Sequence, residues 1–240
     1  MDVPSQSVLA GQETLEPRYP LEAVLWDMDG TLMDSEPHWL AAEQELCAEH
    51  GGTWDESLAL ELVGLPLSVS AQHLRERAGI RGTTEEIVQT LLDRVTLRVA
   101  DGGIPWRPGA AELLHELRAR RVPLALVTMS YAQLADVFID SLPEGTFSAV
   151  VTGDTVSNGK PHPEPYLTAM DRLGVSAAGS IAIEDSVPGL TAAQASGACT
   201  IGVPALLPIP AAPGRVLLDT LEGVSVHHLR QILTACRQRR

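Results

Sequence analysis

The run Asp27-Met28-Asp29-Gly30-Thr31 puts two carboxylates two residues apart, directly after the apolar stretch Leu21-Glu22-Ala23-Val24-Leu25-Trp26. That stretch reads as a buried β-strand. Side chains alternate along a strand, so Asp27 and Asp29 face one way and reach a common site where the strand opens. Gly30 allows the sharp turn that must follow. Paired carboxylates at a strand's carboxyl end suit a divalent cation, a nucleophile and an acid/base. Thr31 reads equally as a turn residue or as part of the site.

Three further segments carry chemistry. Val122-Pro123-Leu124-Ala125-Leu126-Val127-Thr128 is a second apolar strand that ends in a hydroxyl. Gly159-Lys160-Pro161-His162-Pro163 holds one lysine between helix breakers. Ile181-Ala182-Ile183-Glu184-Asp185-Ser186 is a third strand ending in two acids.

The elements that must position these groups follow from periodicity. Between Trp39 and Ala100 the chain reads helical, over Trp39–His50, Leu58–Val63, Ser68–Ala78 and Thr84–Ala100. Ser35 is placed as a helix N-cap with Pro37 in the first turn, and Thr84 with Glu85-Glu86 marks another helix start. From Pro105 the pattern changes. An amphipathic face of Ala110, Leu113, Leu114 and Leu117 precedes alternating elements: strand 123–128, helix 130–141, strand 149–152, helix 163–173, strand 180–184, helix 187–197 and strand 199–203. A proline-rich loop over Pro204–Gly214, a strand at Arg215–Leu218 and a helix at Val226–Arg237 complete the chain. Alternation with near-continuous apolar strands predicts a parallel α/β sheet, which gathers ligands at the carboxyl ends of its strands. Asp27, Thr128 and Asp185 all fall at that end.

The set Asp27-x-Asp29-Gly-Thr, Thr128, Lys160, Glu184-Asp185, in that order, resembles the haloacid dehalogenase superfamily of phosphotransferases over about residues 20–205. The resemblance implies an α/β fold: a Rossmann-like parallel sheet core with an inserted small helical cap. On that reading residues 1–18 are a loose N-terminal extension, 19–35 and 105–240 form the core, and 36–104 form the cap. Met33-Asp34-Ser35 and Gly103-Ile104-Pro105 would be the hinges. Asp27 would be the nucleophile, forming an aspartyl-phosphate, and Asp29 the general acid. Mg²⁺ would be held by the Asp27 side chain, the Asp29 backbone carbonyl and the Asp185 side chain. Glu184 is either a further ligand or an acid lying behind the metal. Thr128, the Met129 N–H and Lys160 would bind the phosphoryl group. Superfamily dehalogenases lack the second aspartate, so Asp29 points to phosphate esters.

Within the superfamily, Asp34-Ser35-Glu36-Pro37-x-Trp39, Lys160-Pro161-His162-Pro163 and Glu184-Asp185-Ser186-Val187-x-Gly189 resemble the β-phosphoglucomutase-like branch, and in it the hexitol-phosphate and deoxyglucose-phosphate phosphatases. The mutases carry a cap arginine about three residues after a cap-loop glycine. If Gly64 is that glycine, Leu67 stands in the arginine's place, and Trp39 lies near where the mutases have a histidine. Leu65 and Leu67 are either an apolar wall facing the site or packing inside the cap. Arg94 is the best surviving cap cation, or else a residue of a solvated helix face. The expected activity is Mg²⁺-dependent hydrolysis of a small phosphorylated metabolite, a sugar or polyol phosphate. The alternative is a sugar-phosphate mutase.

Composition narrows the partners. The 240 residues carry a net charge of −14, which disfavours nucleic acid and acidic membrane surfaces. Only 4% of residues are aromatic, so the core must be built from Ala, Leu and Val. No membrane span is expected, and Met1–Pro20 lacks the hydrophobic run of a signal peptide. Cys47, Cys199 and Cys236 are far apart and lack metal spacing, so they are expected to be small buried thiols in a reducing compartment. These features predict a cytoplasmic protein, monomeric or weakly dimeric.

Overall fold

The computed structural model describes residues 19–62 and 65–238. The expectations for the 1–18 extension, for Val63 and for the cap-loop glycine Gly64 lie outside the described residues.

Six short strands form one parallel sheet: β1 (Ala23–Trp26), β2 (Leu124–Val127), β3 (Ala149–Val151), β4 (Ser180–Glu184), β5 (Cys199–Gly202) and β6 (Arg215–Leu217). Their order in space is β3-β2-β1-β4-β5-β6. The chain therefore builds outward from β1 on one side, then crosses to β4 and builds outward on the other. Such a reversal leaves a crevice at the carboxyl ends of the two central strands. Trp26 is level with Ile183 on β4 and Leu126 on β2. One step further along, this register brings Asp27 to Glu184 and Val127, with the Asp27 N–H donating to the Ile183 carbonyl at 3.1 Å.

Alternation sorts each strand onto two faces. Val24, Trp26, Leu126, Ile181, Ile183 and Ile201 pack with α5 (Ala110–Ala119), α6 (Ala132–Asp140) and α9 (Val226–Gln238). Ala23, Leu25, Ala125, Val127 and Ala182 pack with α7 (Glu164–Leu173) and α8 (Val187–Ser196). The second face is alanine-rich, which lets both helices lie close, and Tyr166 is its one large ring. The scarcity of aromatics is absorbed there.

Between β1 and β2 the chain makes α1 (Glu36–Glu49), α2 (Glu56–Leu60), α3 (Leu67–Ala78) and α4 (Thr84–Gly102), which pack chiefly on one another. Their entry and exit segments run side by side: the Asp34 N–H donates to the Pro105 carbonyl at 2.7 Å, and Met33 pairs with Trp106. α4 starts at Thr84, where the acidic pair places it. Thr83 is its N-cap and forms a capping box with Glu86. Ser35 sits at the N-cap position of α1 but its side chain makes no cap, because its hydroxyl is turned to Asp29.

The expectation of three free thiols is overturned. Cys199 and Cys236 form a disulfide with a Cα–Cα separation of 6.1 Å, while Cys47 is free and buried. The pair is 37 residues apart in sequence, and only the return of α9 across the start of β5 brings it together. The cysteine argument for a reducing compartment falls with it. Among the described residues no helix is long and apolar enough to cross a membrane.

Candidate active site

Asp27 and Asp29 flank Met28, whose side chain is fully buried in the core. The period-two pattern of the strand thus continues past its last paired residue and aims both carboxylates into one cavity. The turn beyond is tight. The Leu32 and Met33 N–H groups both donate to the Met28 carbonyl, at 2.9 and 3.1 Å. Gly30 has φ +79°, and a Cβ there would stand 2.1 Å from Asp185 Oδ2. A side chain would therefore occupy the space of a site carboxylate, and only glycine fits.

Each oxygen of Asp27 has a donor. Lys160 Nζ reaches Oδ1 at 2.7 Å and Thr31 Oγ1 reaches Oδ2 at 2.8 Å. Thr31 is therefore more than a turn residue. Lys160 also donates to the Val127 carbonyl at 2.8 Å and lies 2.6 Å from Glu184 Oε1. Burial alone would lower the lysine's pKa, but the charges of Asp27 and Glu184 hold it above the ordinary amine value.

Asp29 is held by a ring of hydroxyls. Ser35 donates to Oδ1 at 2.5 Å, and Ser130 and Thr128 donate to Oδ2 at 2.8 and 3.2 Å. Its pKa is raised, first by burial and then by the charge of Asp27, against the hydrogen bonds that favour the carboxylate. A raised carboxyl suits a group that must give up a proton. Thr128 is fixed in turn by accepting from the Ser130 N–H at 2.9 Å. Met129 lines the cavity between them.

Glu184 is fully buried. Its Oε1 faces Lys160 and accepts from the Tyr166 hydroxyl at 2.5 Å, and its Oε2 accepts from Ser186 Oγ at 3.3 Å. Burial and Asp27 raise its pKa to about 7, with Lys160 opposing. Gly189 makes room for this carboxylate: a Cβ there would lie 2.0 Å from Glu184 Oε2. Burial, then Asp27 and Glu184, push Asp185 well above its ordinary value.

One carboxylate oxygen from each of Asp27, Glu184 and Asp185 lies within 4.8 Å of the others. Three carboxylates facing a single ammonium leave an excess of negative charge on hard oxygen donors. That donor chemistry fits a small divalent cation such as Mg²⁺.

On the far wall of the cavity stand residues of α1 to α4. Trp39, Leu65 and Leu67 all line it, so the two leucines face the site as well as packing against the core. Arg94 does not reach it. Its guanidinium pairs with Glu49 at 2.6 Å and with Glu45 at 3.9 Å on the outer face shared by α1 and α4. The reading of Arg94 as a substrate-selecting cation is therefore corrected to that of a helix-surface ion pair. Glu36 and Glu43, which the sequence reading passed over, line the cavity from α1. Their signal was present: Glu36, Trp39, Leu40 and Glu43 fall at helical spacing on one face, with acids where an apolar stripe is expected. Ser130 was missed as well, though it lies two residues after Thr128 and shares its side of the chain.

The model of the haloacid dehalogenase-like hydrolases matches residues 24–203. The chain is 33% identical, over 74% of its length and 82% of the relative's, to a phosphorylated carbohydrates phosphatase of Thermotoga maritima. It is 33% identical, over 87% of its length and 98% of the relative's, to the validoxylamine A 7'-phosphate phosphatase of Streptomyces hygroscopicus subsp. limoneus. Its structure matches that of CbbY from Rhodobacter sphaeroides, solved with xylulose-(1,5)bisphosphate, at a TM-score of 0.76 and 26% identity, covering 87% of this chain and 99% of that one. With the Asp-x-Asp turn, the buried lysine and the late acidic pair converging on one crevice, the chain belongs to the haloacid dehalogenase-like hydrolases.

Proposed function

We propose that this chain is a phosphoric monoester hydrolase acting on a small phosphorylated metabolite, a sugar or polyol phosphate, through a covalent intermediate on Asp27. The observation that carries the reading is the pairing of roles in one cavity. Asp27 pairs with Lys160 at 2.7 Å, and Asp29, two residues on, faces the same cavity with its carboxyl pKa raised by burial.

A carboxylate oxygen of Asp27 attacks phosphorus as the bond from phosphorus to the leaving oxygen breaks. Asp29 gives its proton to that oxygen, so an alcohol departs rather than an alkoxide. Water then attacks the phosphorus of the aspartyl-phosphate, losing a proton to Asp29. Inorganic phosphate leaves, and both carboxyl groups return to their starting states. Thr128 and Lys160 position the phosphoryl oxygens, with the Met129 N–H beside them. The Asp27 and Asp185 side chains and the Asp29 carbonyl would hold Mg²⁺, which when bound offsets phosphoryl charge. Glu184 acts by fixing Lys160.

We assign α1 to α4, within residues 36–104, to a cap that closes over the core of residues 19–35 and 105–240 and sets substrate choice. Hydrolysis is favoured over mutase chemistry by the wall itself. A mutase must hold a second phosphate, and among the described residues lining the cavity Lys160 is the only cation.

The test is phosphate release from a panel of sugar and polyol phosphates with Mg²⁺, by wild type and Asp27→Asn. Turnover by wild type, its loss in chelator and a fall of several orders of magnitude in the variant are expected. Asp27→Asn within tenfold of wild type would overturn the nucleophile. Turnover that requires a bisphosphate activator would turn the reading to a mutase.

A further inference from the structure

Glu43 is a buried acid with no counter-ion. It is 5% exposed on α1 and lines the cavity. Trp54 Nε1 donates to its Oε2 at 2.8 Å, which fixes the plane of the carboxylate. Among the described residues it makes no other hydrogen bond and no ion pair, so Oε1 has no protein donor. Leu40, Leu62 and Leu91 line the same wall, with Ser70 as its one hydroxyl among the described residues of α1 to α4. Oε1, left without a protein donor, is accessible from the cavity and can take a donor from a bound molecule. Glu36 lies on the same face, close enough to Glu43 and to Asp29 to feel both charges. Lys160, the one cation among the described residues that line the cavity, is already engaged by Asp27, Glu184 and the Val127 carbonyl.

We infer that Glu43, with Glu36 beside it, is a specificity-determining residue: the leaving group presents hydroxyl or ammonium donors to this wall and carries no second anion. This rests on the hydrolase reading and narrows it. A donor aimed at Oε1 supplies the missing partner, and an apolar wall fixes its direction. A second phosphate or a carboxylate meets two acids and no cation, and like-charge contact in an enclosed site is strongly rejecting. Glu43 touches neither phosphorus nor the leaving oxygen, so its effect is on which ester is bound.

The experiment compares kcat/KM for sorbitol 6-phosphate, glucosamine 6-phosphate and 2-phosphoglycolate in wild type and Glu43→Gln. Glutamine preserves the size and still accepts from Trp54. Wild type is expected to prefer the first two esters. In the variant the ratio of 2-phosphoglycolate to the preferred ester should rise tenfold or more, mainly through KM. A larger loss on glucosamine 6-phosphate than on sorbitol 6-phosphate identifies ammonium as the donor; equal losses identify hydroxyl. A folded variant with all ratios within twofold of wild type overturns the inference and leaves the hydrolase reading standing. If wild type hydrolyses none of the three or any other ester, the hydrolase reading falls and this one with it. Should Glu43→Gln not fold, Glu43→Asp, which withdraws the charge by one methylene, must shift the same ratios, and unchanged ratios there overturn the inference equally.

Discussion

Lys160 Nζ sits 2.7 Å from Asp27 Oδ1, a contact that spans 133 positions of sequence and is almost wholly buried. The lysine comes from a loop and the aspartate from the end of the central strand, so the pair exists only when the sheet is complete. Its charge is shared with Glu184 at 2.6 Å. Site and fold are therefore linked through one ammonium.

Lys160→Met tests that link. It leaves the buried carboxylates of Asp27 and Glu184 without a counter-charge, and breaking a buried pair in this way costs about 3–5 kcal/mol. Denaturant unfolding without added metal should show that loss, and turnover should fall at least about a thousandfold. Stability within about 1 kcal/mol of wild type would defeat the structural part of the argument.

Asp29→Asn separates proton donation from phosphoryl transfer. An aryl phosphate releases a phenolate that needs little protonation, whereas a polyol phosphate releases an alkoxide that needs it. The variant should lose about a hundredfold more kcat on the polyol ester than on the aryl ester. Equal losses on both would remove the acid role.

Much of this site could be read from order and alternation. Asp27 and Asp29 share a side because Met28 must be buried, and Asp185 and Thr128 follow because parallel strands end together. What could not be read were contacts made by folding over distance. The Ser35 hydroxyl could cap α1 or reach Asp29, and local propensity favours the cap. The energy gained by satisfying a partly buried carboxylate decides it. Arg94 is a cation in the right segment, but its helix phase turns it toward Glu49 instead of the cavity. Cys199 and Cys236 meet through the path of α9, which spacing does not encode. Glu43 carried a signal in its helical phase, but an acid inside an apolar stripe has a meaning only once the stripe is seen to face a cavity.

The disulfide makes a simple prediction. Denatured without reductant, the chain should show one reactive thiol, that of Cys47, and three after reduction. Closing a loop of 37 residues stabilises by roughly 2–4 kcal/mol. Reductant should lower the unfolding midpoint accordingly. Three thiols before reduction would dismiss the bond.

Leu67→Arg and Arg94→Ala form a contrasting pair. Leu67 lines the cavity, so an arginine there supplies the cation that the wall lacks. The kcat/KM ratio of 2-phosphoglycolate to sorbitol 6-phosphate should rise about tenfold, with melting temperature nearly kept. Arg94 is bound to Glu49 on the outer helix face, so its removal should leave kcat/KM within about twofold and cost no more than about 1 kcal/mol. A lower melting temperature with unchanged ratios for Leu67→Arg would place Leu67 in packing alone. A tenfold loss for Arg94→Ala would return that residue to substrate selection.

Glu43 should also leave a trace in the pH dependence of stability. Burial raises its pKa from 4.5 to about 7, with the Trp54 hydrogen bond opposing. Between those values the folded chain holds a proton that the unfolded chain has released. The folded state then binds more protons, and stability falls as pH rises. The contribution is intact below about pH 4.5 and lost above about pH 7. At roughly 1.4 kcal/mol for each pH unit of that window, its full size is of order 3 kcal/mol. Glutamine at this position does not titrate. Glu43→Gln should therefore match wild type near pH 4.5 and exceed it by up to about 3 kcal/mol at pH 8, measured by denaturant unfolding in chelator. Glu184, raised to about 7 in the same window, remains in both proteins and cancels in the difference, whereas Glu36, also raised to about 7, feels the Glu43 charge, so its own shift shrinks in the variant and adds to the pH-dependent gain. A difference that does not change with pH would mean that Glu43 titrates alike in the folded and unfolded chain, and would refute its burial without a counter-charge.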